Sequence, residues 1–431
     1  MTCLGAIGVF VQAYLSQSMN GLPLPPSPST WRLRGHFLPH RKSFIAIAGW
    51  INEYGPLITL RSGLENFVVI GRYKAAMDIM ENQGAALADR PRKIAAGEMF
   101  SGGQGLTLTP FGEKFRQKRR ALHTHLQPKA AEAYQPLLMS RAKNLVLDIL
   151  GDPHNFQNHV ITYALSVMTD SIPWLKYIPW YGRELKRGFE RSKRLHTGQL
   201  NRVKEQMRSN VDIGPSFTRY MLENSDHHGL TEVETAFLSA AFFGAGSDTT
   251  TLALCAVLLA ATCFPEEQGK VQAELDCAPT FADQQSLTCL RAFISEALRW
   301  RPVAPNGVPH RTTKDVIWES YYIAAGTTVY GNTWAICRDP EVFPEPDAFK
   351  PQRWINDQGL LRDDLTNFIY GFGRRSVFIG TVLILWAFRL TLDPTQPLDD
   401  MGFMNSEKTH RPCSIKFELR IPEAELSAHD E

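Results

Sequence analysis

The chain has 431 residues, 44% hydrophobic, 21% charged and 10% aromatic, a globular composition that excludes disorder, collagen-like repeats and a disulfide-stapled miniprotein. Forty-six Lys and Arg against 44 Asp and Glu leave a net charge of +2, without the basic excess that a nucleic-acid partner requires. Seven scattered cysteines (Cys3, Cys255, Cys263, Cys277, Cys289, Cys337 and Cys413), nowhere in C-x-x-C spacing, argue against a zinc site or disulfide framework and fit a reducing cytosolic face.

Residues 4–15 form an apolar run broken by Gln12. As a helix it spans about 18 Å, short of the roughly 30 Å hydrocarbon core. It reads either as a short helix packed on the body or as a curtailed membrane anchor within residues 1–20. Residues 21–30 are a stiff, proline-rich spacer (Leu22-Pro-Leu-Pro-Pro-Ser-Pro-Ser) of the kind that holds a tail away from a body. The remainder, 31–431, shows no composition shift and reads as one large domain, mainly α with a small β region. Leu57–Leu60 and Phe67–Ile70 form a candidate hairpin around Gly63. Val316–Ile317, Thr327–Tyr330 and Ser414–Ile421 carry the β-branched, alternating pattern of further strands. Gln127–Leu150 and Gln284–Arg301 have helical period, and Val377–Phe388 reads as a buried core helix.

The longest predicted helix opens at Thr231-Glu-Val-Glu234, a capping-box sequence, and is stopped by Pro265. It is apolar nearly all round, so it must run through the core. In its middle stands Ala245-Gly-Ser-Asp248-Thr249-Thr250. A mid-helix glycine costs about 1 kcal/mol, and Asp248 costs more unless paired or wet. Thr249 can bond back to the carbonyl of Ala245 and loosen the helix. These choices suit a groove in which an acid beside an alcohol passes protons; the alternative is a kink around a water-filled defect.

Three further motifs follow in order: Glu296-Ala-Leu-Arg299 on a helix, Phe349-Lys-Pro-Gln-Arg353-Trp354, and Tyr370-Gly-Phe-Gly373-Arg-Arg375 ahead of an apolar helix. Together with the Asp248-Thr249 segment they resemble the cytochrome P450 family, specifically the microsomal-type enzymes of fungal secondary metabolism, from about Leu22 onward. The resemblance implies a P450 fold, a haem b cofactor, and monooxygenation of lipophilic small molecules such as terpenoids or polyketides. It also implies electrons from an NADPH-cytochrome P450 reductase and residence at the cytosolic face of the endoplasmic reticulum membrane. By resemblance, Glu296, Arg299 and Arg353 are the structural ion-pair triad, and Asp248 and Thr249 deliver the protons that oxygen activation consumes. Arg119, His310 and Arg375 match haem-propionate contacts, while Phe115 stands where the family has a tryptophan donor.

The family's glycine-rich loop continues G-R-R-x-C-x-G, its cysteine binding iron. Here Arg375 runs directly into Ser376-Val-Phe-Ile-Gly, and Val377 occupies the register of the ligand. Matching helical register, about ten residues are missing before Ser376. Cys413 reads as a packed residue, and by the resemblance Cys255, nearly two turns past Thr249, lies on the wrong side of the haem plane, with Cys263 further still, so no metal ligand is assigned. Arg119 to Ala245, Tyr163-Ala164 up to Trp174, and Glu274 to Pro279 also look short. Such clean excisions suit an alternatively spliced product or a mistaken gene model. The alternative to an active monooxygenase is therefore an inactive P450-shaped body or binding protein. A Ser247 hydrolase fails for want of a G-x-S-x-G elbow.

The segment Trp174–Tyr181, rich in aromatics, precedes Arg183–Arg208, where nine Lys and Arg oppose three Glu. It reads either as a core loop and solvated helix or as a contact with a membrane surface.

Overall fold

The computed structural model describes residues 21–30, 35–39, 42–63, 65–125, 183–209, 217–276, 286–362, 364–365, 374–404 and 413–422. The apolar run at 4–15, the helical stretch 127–150 and the aromatic segment 174–181 lie outside them. In chain order the helices are α1 (Ser43–Tyr54), α2 (Tyr73–Ala76), α3 (Glu113–His125), α4 (Arg183–Arg208), α5 (Phe217–Glu223) and α6 (Ser225–His228). They continue with α7 (Glu232–Cys263), α8 (Pro265–Glu274), α9 (Thr288–Trp300), α10 (Thr333–Ile336) and α11 (Arg374–Ala387). Two compact units result: one from the chain up to Pro91 with Arg299–Ala348, the other from Arg92–Leu298 with Phe349 onward.

The first unit is built on a four-stranded sheet. β1 (Leu57–Ser62) and β2 (Glu65–Ile70) pair antiparallel from Leu57↔Ile70 to Ser62↔Glu65, the hairpin the sequence predicts. β3 (His310–Arg311), β4 (Val316–Trp318), β5 (Tyr321–Ile323) and β6 (Thr328–Gly331) follow. β6 adds parallel to β2, and β3 pairs antiparallel with β6; β4 and β5 make a separate pair. One face of the sheet buries Ile58, Leu60 and Val69 against Ile47 and Ile51 of α1. Gly71 permits that approach, since a Cβ there would lie 2.5 Å from Ile51 Cγ1. The proline-rich segment is extended, and it lies along β1. Thr59 donates its N–H to the Pro26 carbonyl and its hydroxyl to that of Pro25, both at 2.8 Å.

The second unit is organised around α7. The sequence predicts a helix of 34 residues from Thr231 to Phe264, and the observed one has 32, unbroken across Ala245–Thr250. Thr231 and Glu234 form the full capping box. Ala253, Ala256, Val257, Leu259, Ala260 and Ala261 are buried, as an apolar core helix requires. α4, α5, α8 and α11 all pack on α7, with Phe189 and His196 of α4 against Phe237. β7 (Phe388–Leu392) and β8 (Ile415–Leu419) pair antiparallel. Two buried glutamines of α8 tie this pair to the core. Gln268 donates to the carbonyls of Ala261 and Leu390, both at 2.9 Å, and accepts from Leu390 N–H at 2.8 Å. Gln272 donates to the carbonyls of Leu385 and Phe388. Buried amides kept satisfied in this way hold backbone groups that no ladder reaches.

Candidate active site

The acid–alcohol segment sits at mid-length on α7. Thr249 is exposed; the Asp248 side chain lies outside the described residues. The start of α7 is fixed electrostatically. Glu234 accepts from Thr231 N–H at 2.9 Å and from the Thr231 hydroxyl at 2.8 Å. Its other oxygen pairs with Lys114 of α3 at 2.8 Å, so one carboxylate joins the two helices. Burial alone would push this carboxyl up; Lys114 and the Thr231 donors overcome that and hold it at about 2.

Glu296 of α9 is wholly buried, and its carboxylate is served by donors from one short segment. Lys350 N–H donates at 2.8 Å, Arg353 Nε at 3.2 Å and Trp354 Nε1 at 2.9 Å. A buried carboxylate is tolerable only with such partners. Residues 351–354 form a 3-10 turn, which brings Lys350, Arg353 and Trp354 to the same acid. The sequence reading found Arg353 and missed the other two donors. Trp354 was legible in principle, since a buried indole needs an acceptor for its N–H. Arg299, one turn along α9, is also wholly buried. Its guanidinium donates to the carbonyls of Cys337 (2.9 Å), Pro346 (2.7 Å) and Ala348 (3.1 Å), and it lies over the Phe343 ring. Both residues thus anchor irregular segments to one helix.

Arg119 is exposed on α3. Its neighbour Lys118 is 2% exposed, donating to the Gln104 carbonyl at 3.1 Å and the Thr109 hydroxyl at 3.2 Å, and burial pushes its ammonium pKa down. Lys118 is therefore committed to structure, while Arg119 is presented outward. His310 lies in β3, in the first unit, with Nδ1 2.9 Å from the Leu87 carbonyl. A carbonyl only accepts, so Nδ1 carries the proton, and Nε2 can donate to a carboxylate only as imidazolium. Burial, then nearby Arg90, lowers the His310 pKa; a bound carboxylate would act in the opposite sense. Arg375 stands in the first turn of α11, its side chain outside the described residues.

Haem in a P450 is held by a cysteine thiolate. No cysteine occurs between Cys337 and Cys413, and Val377 is buried in α11 at 3% exposure. Cys255 is buried on α7, its thiol held far above the ordinary range by burial and then by Cys413. Cys413 is itself pushed up to about 11 by burial and then Cys263. Cys289 is raised by burial and then by Glu274. These are neutral thiols rather than thiolates. Cys337 is buried in the first unit, and Cys3 and Cys277 lie outside the described residues. Among the described residues, no group of three or more His, Cys, Asp and Glu is placed to hold a metal ion. The residues present do not fit haem–thiolate ligation.

Comparison with known proteins places this arrangement in a lineage. The model of the cytochrome P450 family matches residues 25–169 and 154–401. Cytochrome P450 monooxygenase 113 of Postia placenta is 41% identical over 463 residues, covering 94% of this chain and 93% of that protein. Cytochrome P450 monooxygenase 64 of the same fungus is 41% identical over 457 residues, covering 93% and 92%. Cytochrome P450 monooxygenase aneD of Aspergillus aculeatus is 27% identical over 465 residues, covering 92% and 88%. In the first alignment, 94% of 431 residues is about 405, so about 58 of the 463 positions face no residue of this chain. With two matched stretches spanning most of its length, the chain belongs to the cytochrome P450 family of haem-dependent monooxygenases.

Proposed function

We propose that this body is built for oxygen insertion into a lipophilic small molecule of fungal secondary metabolism, a terpenoid or polyketide. The observation that carries the reading is α7, apolar over most of its length, with the polar run Ser247-Asp248-Thr249-Thr250-Thr251 at its centre. The aneD relative and the Postia enzymes, all fungal monooxygenases by name, support it. Arg119, His310 and Arg375 would hold haem, which would supply oxygen activation with electrons from a reductase. This chain's own residues do the rest. Asp248 and Thr249 hold and pass a proton, Arg119, His310 and Arg375 neutralise carboxylates, and Glu296, Arg299 and Arg353 fix the segments beneath.

The test is a chain carrying a restored cysteine loop, supplied with NADPH and reductase. Thr249→Ala and Asp248→Asn should lower the ratio of product to NADPH consumed by about tenfold or more while leaving substrate affinity within about twofold. An unchanged ratio in both variants would remove the proton-relay assignment.

Residence at the cytosolic membrane surface belongs to the same proposal. No helix among the described residues is long and apolar enough to cross a membrane. α4 carries nine Lys and Arg against three Glu, with Lys186, Arg187, Arg191, Arg194, Arg202 and Arg208 exposed. Such a surface is drawn to anionic headgroups. Association with anionic vesicles that survives deletion of residues 1–20 and weakens with salt is expected; binding indifferent to salt would contradict it.

A further inference from the structure

We infer that this chain does not fit haem–thiolate ligation because its sequence is short at the N-terminal junction of α11, where no sulfur ligand stands ahead of a helix packed in place at its far end. The inference rests on the P450 architecture argued above and names what that architecture lacks.

The far end of α11 is held from three directions. Arg420 Nη1 donates to the carbonyls of Leu385 (3.1 Å) and Trp386 (3.0 Å), and Arg420 N–H donates to Ala387 (2.8 Å). Gln272 donates to the Leu385 and Phe388 carbonyls. The middle is held by shape. Gly380 faces Leu254 of α7 so closely that a Cβ would lie 3.1 Å from Leu254 Cδ2. Sliding α11 by one residue would turn it about 100° and move it about 1.5 Å. Either Ile379 or Thr381 would then bring a side chain against Leu254, where Gly380 now leaves room. The Gly380 contact therefore favours the observed register of the helix.

Nothing upstream compensates. The helix begins at Arg374, and residues 338–412 contain no cysteine. Val377, Phe378, Ile379, Val382, Ile384 and Leu385 are all at most 3% exposed, and no residue of the helix is a sulfur ligand. Ten residues of helix would rise about 15 Å; that length, with its cysteine, is what the junction at Arg375-Ser376 omits.

The test uses the full chain beside two insertion variants, each with ten residues between Arg375 and Ser376, one carrying a cysteine and one an alanine in its place. After haemin is added and reduced, carbon-monoxide difference spectra are recorded. Only the cysteine insertion should give the red-shifted Soret band of thiolate-ligated haem. That band from the unmodified chain would overturn the inference, because sulfur would then reach iron from elsewhere. Its absence from a folded cysteine insertion would also overturn it, since the other shortenings would then be enough to prevent ligation. If no chain retains any haem, the propionate assignments of Arg119 and His310 fall as well, and the inference falls with them. Amide exchange in the unmodified chain needs no insertion to fold. Protection should be highest at residues 382–387 and lowest at 374–376; weak protection at 385–387 would contradict the seated helix.

Discussion

The donors around Glu296 and the N-terminal junction of α11 are landmarks of one family, and this chain keeps the first while lacking the second. At Glu296 three donors from residues 350–354 reach a fully buried carboxylate. At α11 the downstream caps and the Gly380 contact are in place, yet the sulfur is missing. The difference separates two kinds of requirement. Groups that satisfy buried polar atoms must stay for the chain to fold, because each orphan costs folding energy. A metal ligand in a loop is needed only for chemistry, so its removal leaves the helix beyond it seated.

The comparison breaks most readily at Glu296. Glu296→Leu should destabilise the chain by about 3–5 kcal/mol, since it strands the Arg353 guanidinium and two buried N–H donors. Chemical denaturation measures this, and a loss below about 1 kcal/mol would mean that the carboxylate does not anchor residues 350–354. Gln268→Leu comes next. It leaves Leu390 N–H and two carbonyls without their partner, at about 1–3 kcal/mol, with faster exchange at Leu390 as the local sign. Unchanged exchange there would mean that α8 does not hold β7.

The smallest effect concerns acid. Glu234 titrates near 2 in the folded chain against an ordinary 4.5. Its folded pKa is depressed, so its stabilisation is full above the ordinary value and is lost as pH falls from about 4.5 towards 2. Glu234→Gln should cost about 1 kcal/mol at neutral pH, the usual worth of an N-cap interaction, and flatten the acid limb. Equal acid sensitivity in both proteins would show that another carboxylate dominates.

Much of the fold is legible in the sequence because its signals are local. The capping box at Thr231, the apolar period of α7 and the Gly63 hairpin each lie within a few residues of what they specify. β3 and β5 escape notice because two or three residues carry no period; β3 exists through pairing with β6 and β5 through pairing with β4. The boundaries at 91 and 348 leave no mark in composition. At the site, Glu296 is readable from its spacing to Arg299 and Arg353 from the family resemblance, whereas Lys350 contributes a backbone N–H that no side chain announces. Lys118 reads like its cationic neighbours, and only burial separates it from Arg119. The absent cysteine is legible at once, because a missing residue type needs no coordinates; that the helix beyond it stays in place requires the Arg420 and Gln272 contacts.

Iron K-edge X-ray absorption on the haem-loaded, unmodified chain tests the central claim most directly. The account predicts only nitrogen and oxygen in the first shell of the iron. A sulfur scatterer in that shell would contradict it.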